Sequence, residues 1–318
     1  PVKIVPRAFG ETRRRDWWWV EPMIVFTVFG GFVVYATWAA FQNAHYTYGP
    51  YLSPFYSPEL WGSSHHALFG PKPDWWPALA PFSPALLILP FPGLFRFTCY
   101  YYRGAYYKAF WMDPVSCTVG EPRHSYWGER TLPLILQNVH RYFAYIACIF
   151  LLILSYDVWL ALWFTNPATG QQEFGVGVGT LVLAVNVVLL SCYTLGCHSI
   201  RHMAGGLKDE VSKSPMRHTC YNCSSALNGR HMLFAWMSLF SVAFSDIYVL
   251  QTDGSLRRVT HGGIDNDPAW SPDGQRIAFL RAHRNADPTL YVANADGSGQ
   301  RRLTLRASEQ PDFSPDSR

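Results

Sequence analysis

Five stretches of the chain are predominantly apolar, and each is bounded by charged or turn-forming residues. Val20 to Phe41 carries one charge, Glu21, at its start, and roughly 20 such residues cross a ~30 Å hydrocarbon layer as a helix. Pro84 to Phe110 is interrupted by Pro90, Pro92, Arg96 and Arg103, which predicts a kinked or tilted helix packed against protein. Leu132 to Phe164 is a third stretch and Gly175 to Leu195 a fourth, the latter with small residues that permit close helix packing. Met232 to about Leu250 is the fifth. The pattern predicts an all-α polytopic membrane protein: an N-terminal segment, 1–19, then a five-helix transmembrane bundle over 20–250. Trp17 to Trp19, Trp75 and Trp76, and Trp159 and Trp163 fall where interfacial belts would lie.

From about Asp246 the pattern changes to short alternating runs separated by turns. IYVLQTDGS and DPAWSPDG return as LYVANADGS and QPDFSPDS, with Ile247 and Leu290, Gly254 and Gly297, and Trp270 and Phe313 each 43 residues apart. That period and the Asp-Gly turns suit propeller blades. Residues 251–318 are therefore expected to form an all-β propeller-like tail, incomplete because a ring needs about four or more blades. The chain begins at Pro1 and stops inside a repeat. It reads as a fragment, with a chimeric join near Ser245 to Leu250, where SDIYVL would serve as helix end and first strand.

Composition agrees with a two-part chain. Only 15% of the 318 residues are charged and 16% are aromatic, whereas a soluble domain carries about 25% charge. The near-zero mean hydropathy averages an apolar bundle with a polar tail. Lys3, Arg7, Arg13, Arg14 and Arg15 precede the first stretch; Arg103, Lys108, Arg123 and Arg130 lie between the second and third; Arg201, Lys208, Lys213, Arg217 and Arg230 lie between the fourth and fifth. The opposite loops, 42–83 and 165–173, hold Lys72 alone. The positive-inside rule puts the N-terminus in the cytoplasm and the tail outside a bacterial inner (plasma) membrane. No small-residue cleavage site follows the first span, so no cleavable signal peptide is expected.

This topology gathers Cys99, Cys117, His140, Cys197, His198, His202 and His231 in the cytoplasmic half of the bundle. Ionisable side chains at membrane depth are costly and usually have a partner or a task. His198 and His202 are four residues apart, on one helix face, and could both reach one metal. His140 and His231 lie just inside the third and fifth spans, and bundle sites are built from side chains on facing helices. The plainer reading of any one of them is an interfacial hydrogen-bonding residue. Cys148 and Cys192 read as small core residues, Cys220 and Cys223 as a lone CxxC in a cytoplasmic loop, and His45, His65 and His66 as surface. Disulfides are not expected in a reducing compartment. No nucleotide-binding glycine fingerprint or hydrolase triad stands out, and no nucleic-acid partner is expected.

The same residues carry a resemblance. FRFTCYYYRGAYYKAFWMDPVSC (Phe95 to Cys117), LPLILQNVHRYFAY (Leu132 to Tyr145), YTLGCHSIRHMAGG (Tyr193 to Gly206) and LNGRHMLFAW (Leu227 to Trp236) are similar to the five-span membrane subunit of one class of succinate dehydrogenase, over about Arg7 to Val249. The tail resembles TolB-like propeller repeats. The resemblance implies a membrane anchor for a flavoprotein and an iron-sulfur protein, holding a Rieske-type 2Fe–2S cluster and passing electrons to quinone. It implies a subunit that does not oxidise succinate alone. Two Cys and two His satisfy such a cluster. His198 and His202 are the first choice for the imidazole pair, with His140 and His231 as substitutes. Cys99, Cys117 and Cys197 compete for the thiolate places. Spacing alone equally supports a bis-His haem b. Arg141, Arg201 and Arg230 could orient a quinone or balance cluster charge, and Tyr101, among Tyr100 to Tyr107, could line a quinone pocket or belong to an interfacial belt. The alternative class is a polytopic membrane protein displaying an extracytoplasmic propeller for binding or sensing, with structural His residues.

Overall fold

A computed structural model describes residues 8–62, 64, 66–71, 83–123, 130–131, 134–166, 169–206, 209–253, 264–271, 275–283, 286–295, 297–304 and 311. Lys3, Arg7, His65, Lys72, Trp75, Trp76, Leu132, Lys208, Gly254 and Phe313 lie outside the described residues. The chain divides into two compact units, Pro1–Gly254 and Ser255–Arg318.

The first unit is helical. Among the described residues four helices are long and apolar enough to cross a membrane: Val20–Gln42, Leu134–Leu160, Val178–Leu195 and His231–Leu250. Helix α1 (Val20–Gln42) stops at Asn43, whose backbone is left-handed at φ 49°, a conformation Asn tolerates and helix ends use. The second apolar stretch differs from the expected single kinked helix. It forms α2 (Pro84–Ile88), α3 (Pro90–Phe97), α4 (Tyr100–Tyr106) and a π-helical turn, Tyr107–Trp111. Pro84 and Pro90 each stand in a first turn, where proline's missing N–H costs nothing and its fixed φ suits a new start. The prolines thus begin helices rather than bend one.

A loop folds over the far end of α1. It contains the hairpin β1 (Thr47–Tyr48) and β2 (Tyr51–Leu52) and a 3₁₀ turn, Pro54–Tyr56. Three buried carboxylates fasten it. Asp246 accepts from the Tyr35 hydroxyl at 2.5 Å and from the Ser53 hydroxyl. Asp157 accepts from Ser57 and pairs with His66 Nδ1 at 3.2 Å. Glu59, fully buried, accepts from Tyr46 at 3.0 Å and from Ser64. His66, expected at the surface, is buried because Asp157 draws it inward.

Helix α5 (His140–Leu160), the hairpin β3 (Trp163–Thr165) and β4 (Gln172–Phe174), and α6 (Val178–Leu195) follow. The Thr180 hydroxyl donates to Ala161 O at 2.7 Å, tying the end of α5 to the start of α6. Next come α7 (His198–Gly205), α8 (Pro215–Asn228) and α9 (His231–Asp253). Cys220 and Cys223 lie on α8 rather than in a loop, and both are exposed. Helix α9 runs straight through the expected join. Ile247 to Leu250 are helical, whereas the matching Leu290 to Ala293 are strand. Val249 is buried against Tyr51, Ala161 and Leu183, so packing overrides the β-propensity of the IYVL run.

Among its described residues the second unit holds four antiparallel strands in sequential order: β5 (Ile264–Trp270), β6 (Arg276–His283), β7 (Ala286–Asn294) and β8 (Arg301–Arg302). Ile277, Phe279 and Ala293 form its small core with Tyr291. The Arg281 guanidinium covers Phe279 and Tyr291 at 5.3 and 4.7 Å from their ring centres.

Removing one donor from a buried carboxylate costs about 1–3 kcal/mol. Tyr35→Phe should therefore lower the thermal midpoint of the purified protein by several degrees. An unchanged melting curve would show that the Asp246 contact contributes nothing.

Candidate functional site

Two cysteines occupy matching breaks between helices. Cys99 separates α3 from α4 with φ −66° and ψ 134°, and Cys197 separates α6 from α7 with φ −65° and ψ 141°. The residues before them, Thr98 and Gly196, share φ near −80° and ψ near zero (−86°, −4° and −79°, −2°). Four residues on, Arg103 N donates to Cys99 O at 2.9 Å and Arg201 N to Cys197 O at 3.1 Å, restarting each helix. The sequence carries this as C-x-x-x-R twice, CYYYR and CHSIR.

The second break depends on a close approach. A Cβ at Gly196 would lie 2.8 Å from Cys192 O and 3.0 Å from Leu227 Cβ. The Ser224 hydroxyl and Asn228 Nδ2 each donate at 2.8 Å to the carbonyls of Leu195 and Gly196. Helix α8 thereby satisfies carbonyls that the end of α6 would otherwise leave unpaired.

Against these cysteines stand two imidazoles. His140 Nε2 is 2.9 Å from Cys197 Sγ, and His231 Nε2 is 3.6 Å from Cys99 Sγ. His140 Nδ1 contacts the Thr98 hydroxyl at 2.9 Å, so the residue preceding one cysteine orients the histidine facing the other. Each ring is also held by stacking: His140 on Phe95 and His231 on Tyr193, both with centroids 4.9 Å apart. Cys99 and Cys197 are almost inaccessible, at 3% and 2% exposure. His231 Nδ1 is buried without a partner among the described residues. All four side chains line one cavity of about 840 Å³, which residues of the start of α1 and of the 98–109 segment also line.

Beneath the cavity lies a buried guanidinium. Arg96 donates to Tyr102 Oη at 2.7 Å, Ala235 O at 3.2 Å and Ser238 Oγ at 2.9 Å, and its Cζ sits 4.5 Å from the centre of the Tyr193 ring. No carboxylate among the described residues pairs with it. A buried cation favours negative charge on the groups around it.

The other expected residues are placed differently. His198 and His202 do share a face of α7, with ring centres 4.5 Å apart, but both are exposed. Burial, then His202 and Arg201, lowers the pKa of His198, which lines the cavity rim. Cys117 is exposed in the loop after the π-helical turn. Arg141 and Arg230 are exposed. Arg201 donates to Tyr221 Oη at 2.9 Å and lies over its ring, an arrangement that lowers the Tyr221 pKa. Tyr101 lines the cavity and accepts from Trp236 Nε1 at 2.6 Å. Sequence reasoning passed over Arg96 and Thr98. The repeated C-x-x-x-R was the available sign that Cys99 and Cys197 belong together.

Comparison with known proteins bears on both units. A family model described as actinobacterial succinate dehydrogenase subunit SdhC matches residues 20–254. Among solved structures, a chain of the Mycobacterium smegmatis Sdh1 complex in the apo form superposes with a TM-score of 0.71 at 39% identity, covering 80% of this chain and 95% of that one. The tail is similar to a TolB homologue of Chlorobium luteolum, 44% identical over 59 residues or 18% of this chain. It is also similar to the Tol-Pal system protein TolB of Zymomonas mobilis, 37% identical over 70 residues or 21% of this chain. The chain spans only 13% and 15% of the lengths of these two relatives.

Replacing Arg96 by Met should destabilise the protein by about 1–3 kcal/mol, because the Tyr102 and Ser238 hydroxyl oxygens lose their donor while Ala235 O keeps that of Tyr102. Lys at this position should recover only part of the loss, since an ammonium lacks the planar fork that spans Tyr102 and Ser238. Thermal unfolding of both variants measures the difference. Full recovery by Lys would contradict the geometric argument.

Proposed function

The chain belongs to the family of the actinobacterial succinate dehydrogenase subunit SdhC, and from that premise we propose that it relays electrons from an iron-sulfur subunit to membrane quinone through a Rieske-type 2Fe–2S cluster. The observation that carries this reading is the pair of buried Cys–His contacts on one cavity. A Rieske-type cluster asks for two thiolates and two imidazoles. Cys99, Cys197, His140 and His231 supply that number and type, from four different helices or helix breaks. Each contact sets one thiol beside one imidazole, and all four side chains line the same cavity. The cluster, when bound, supplies one-electron relay at a potential raised by imidazole ligation.

The chain's own residues have definite tasks in this reading. Thr98 holds one nitrogen of His140, which fixes the ring and leaves Nε2 toward the donor set. The buried Tyr193 and Phe95 rings keep both imidazoles from rotating and exclude water from behind them. Arg96 offsets negative charge on the thiolates. A bis-His haem b would use His140 and His231 but give the two buried thiols no role, so the mixed donor set favours the cluster.

Within the same proposal, α2 to α4 and the π-helical turn make the second of five crossings, and the N-terminus and cavity face the cytoplasm. There the flavoprotein and iron-sulfur subunits dock on the surface rich in Lys and Arg, and succinate oxidation itself belongs to them. The tail, a single four-stranded antiparallel sheet, is read as one propeller blade on the outer side.

The test is the intact complex, reduced with dithionite and examined by EPR and visible spectroscopy. A signal with the g-average of a Rieske centre should be present. Cys99→Ser, Cys197→Ser, His140→Ala and His231→Ala should each abolish it, while His198→Ala and His202→Ala should leave it. Soret bands would replace the cluster with haem, and loss of the signal in His198→Ala alone would reassign the ligands. An intact complex with neither signal would end both readings.

A further inference from the structure

We infer that Gln137 is the hydrogen-bond donor that seats a carbonyl oxygen of the quinone in the cavity beside Cys99, Cys197, His140 and His231. This rests on the proposed quinone reduction and names a residue for it. Gln137 lies in the 3₁₀ turn Leu134–Val139, three residues before His140. Side chains three apart eclipse one another in such a turn, and both residues line the cavity.

The orientation of the amide follows from its neighbour. Arg103 Nη1 lies 2.8 Å from Gln137 Oε1. A guanidinium can only donate, so the atom facing it must be the carbonyl oxygen, and the NH₂ group is turned the other way. That nitrogen is buried and has no partner among the described residues. Proteins rarely leave a buried donor unmet unless a ligand, an ion or an ordered water meets it. Arg103 belongs to the C-x-x-x-R break at Cys99, so the same backbone feature that places a thiol also aims the amide.

The walls indicate what kind of acceptor fits. Pro22, Val25, Ala105 and Met232 provide an apolar surface, and Tyr101 provides a second polar edge. The Tyr101 oxygen accepts from Trp236 Nε1 at 2.6 Å, which leaves its own hydrogen to give. A flat, neutral ring bearing carbonyl oxygens matches a site with apolar walls and donors; Lys108 and Glu21, which also line the cavity, are of opposite charge and give it no net charge of their own.

The experiment uses the assembled complex with menadione as quinone probe. Gln137→Leu should raise the KM for menadione about tenfold, the size of one lost hydrogen bond to a bound ligand, with kcat within about twofold. Succinate oxidation by ferricyanide and the EPR signal of the complex should not change. Gln137→Glu keeps the side chain's size and its contact to Arg103 but cannot donate, so it should repeat the KM rise even if the leucine variant fails to assemble. Arg103→Met should give a smaller rise that is not additive with Gln137→Leu. An unchanged KM in either Gln137 variant, with a wild-type complex that reduces menadione, overturns the assignment of Gln137 alone. A wild-type complex that does not reduce quinone overturns the reading beneath it as well.

Discussion

The interaction on which the helical unit turns is the burial of the Arg96 guanidinium. Hydrocarbon offers no water to a charged group, so every donor of that fork must find a protein acceptor. The acceptors come from α4 (Tyr102) and α9 (Ala235 and Ser238), with the Tyr193 ring of α6 laid against the cation. One side chain of α3 therefore fixes three other helices, and two of them, α6 and α9, carry the stacked pair Tyr193 and His231. The opposite end of the unit is arranged in the reverse sense, with Asp157 and Asp246 buried against the loop that follows α1 and Glu59 buried within that loop. Buried positive charge lies at the end that gathers thiols, and buried carboxylates lie at the other.

The four long helices were legible because an apolar run of membrane length has few alternatives. The second stretch was not, because its prolines permit either a bend or a restart, and only the neighbours of Arg96 and Cys99 decide. The IYVL run shows the same limit from the other side. As a repeat motif it matched a strand, but Val249 has a core to fill, and the helix continues past it to Asp253.

The site was legible in residue type and not in pairing. His198 and His202 drew notice because four-residue spacing is visible in any helix, exposed or buried. The contacts His140–Cys197 and His231–Cys99 join residues 57 and 132 positions apart, and no local spacing announces them. Burial separates the two cases: the local pair is solvated, and the distant pairs are enclosed. Gln137 was invisible for a related reason, since an amide becomes a distinctive donor only when a neighbour such as Arg103 fixes which end faces inward.

The twin breaks at Cys99 and Cys197 also bear on how assembly reaches the site. A cysteine within a helix is aimed mainly by its rotamer, but one in the extended residue between two helices is aimed by the angle between their axes. Helices α7 and α8 lie at the surface just past the Cys197 break, and the π-helical turn follows the Cys99 break through α4. A partner that tilts either segment on docking would move a sulfur directly, without a rotamer change. The position of each sulfur is in that sense set by the geometry of two helices rather than by its own side chain.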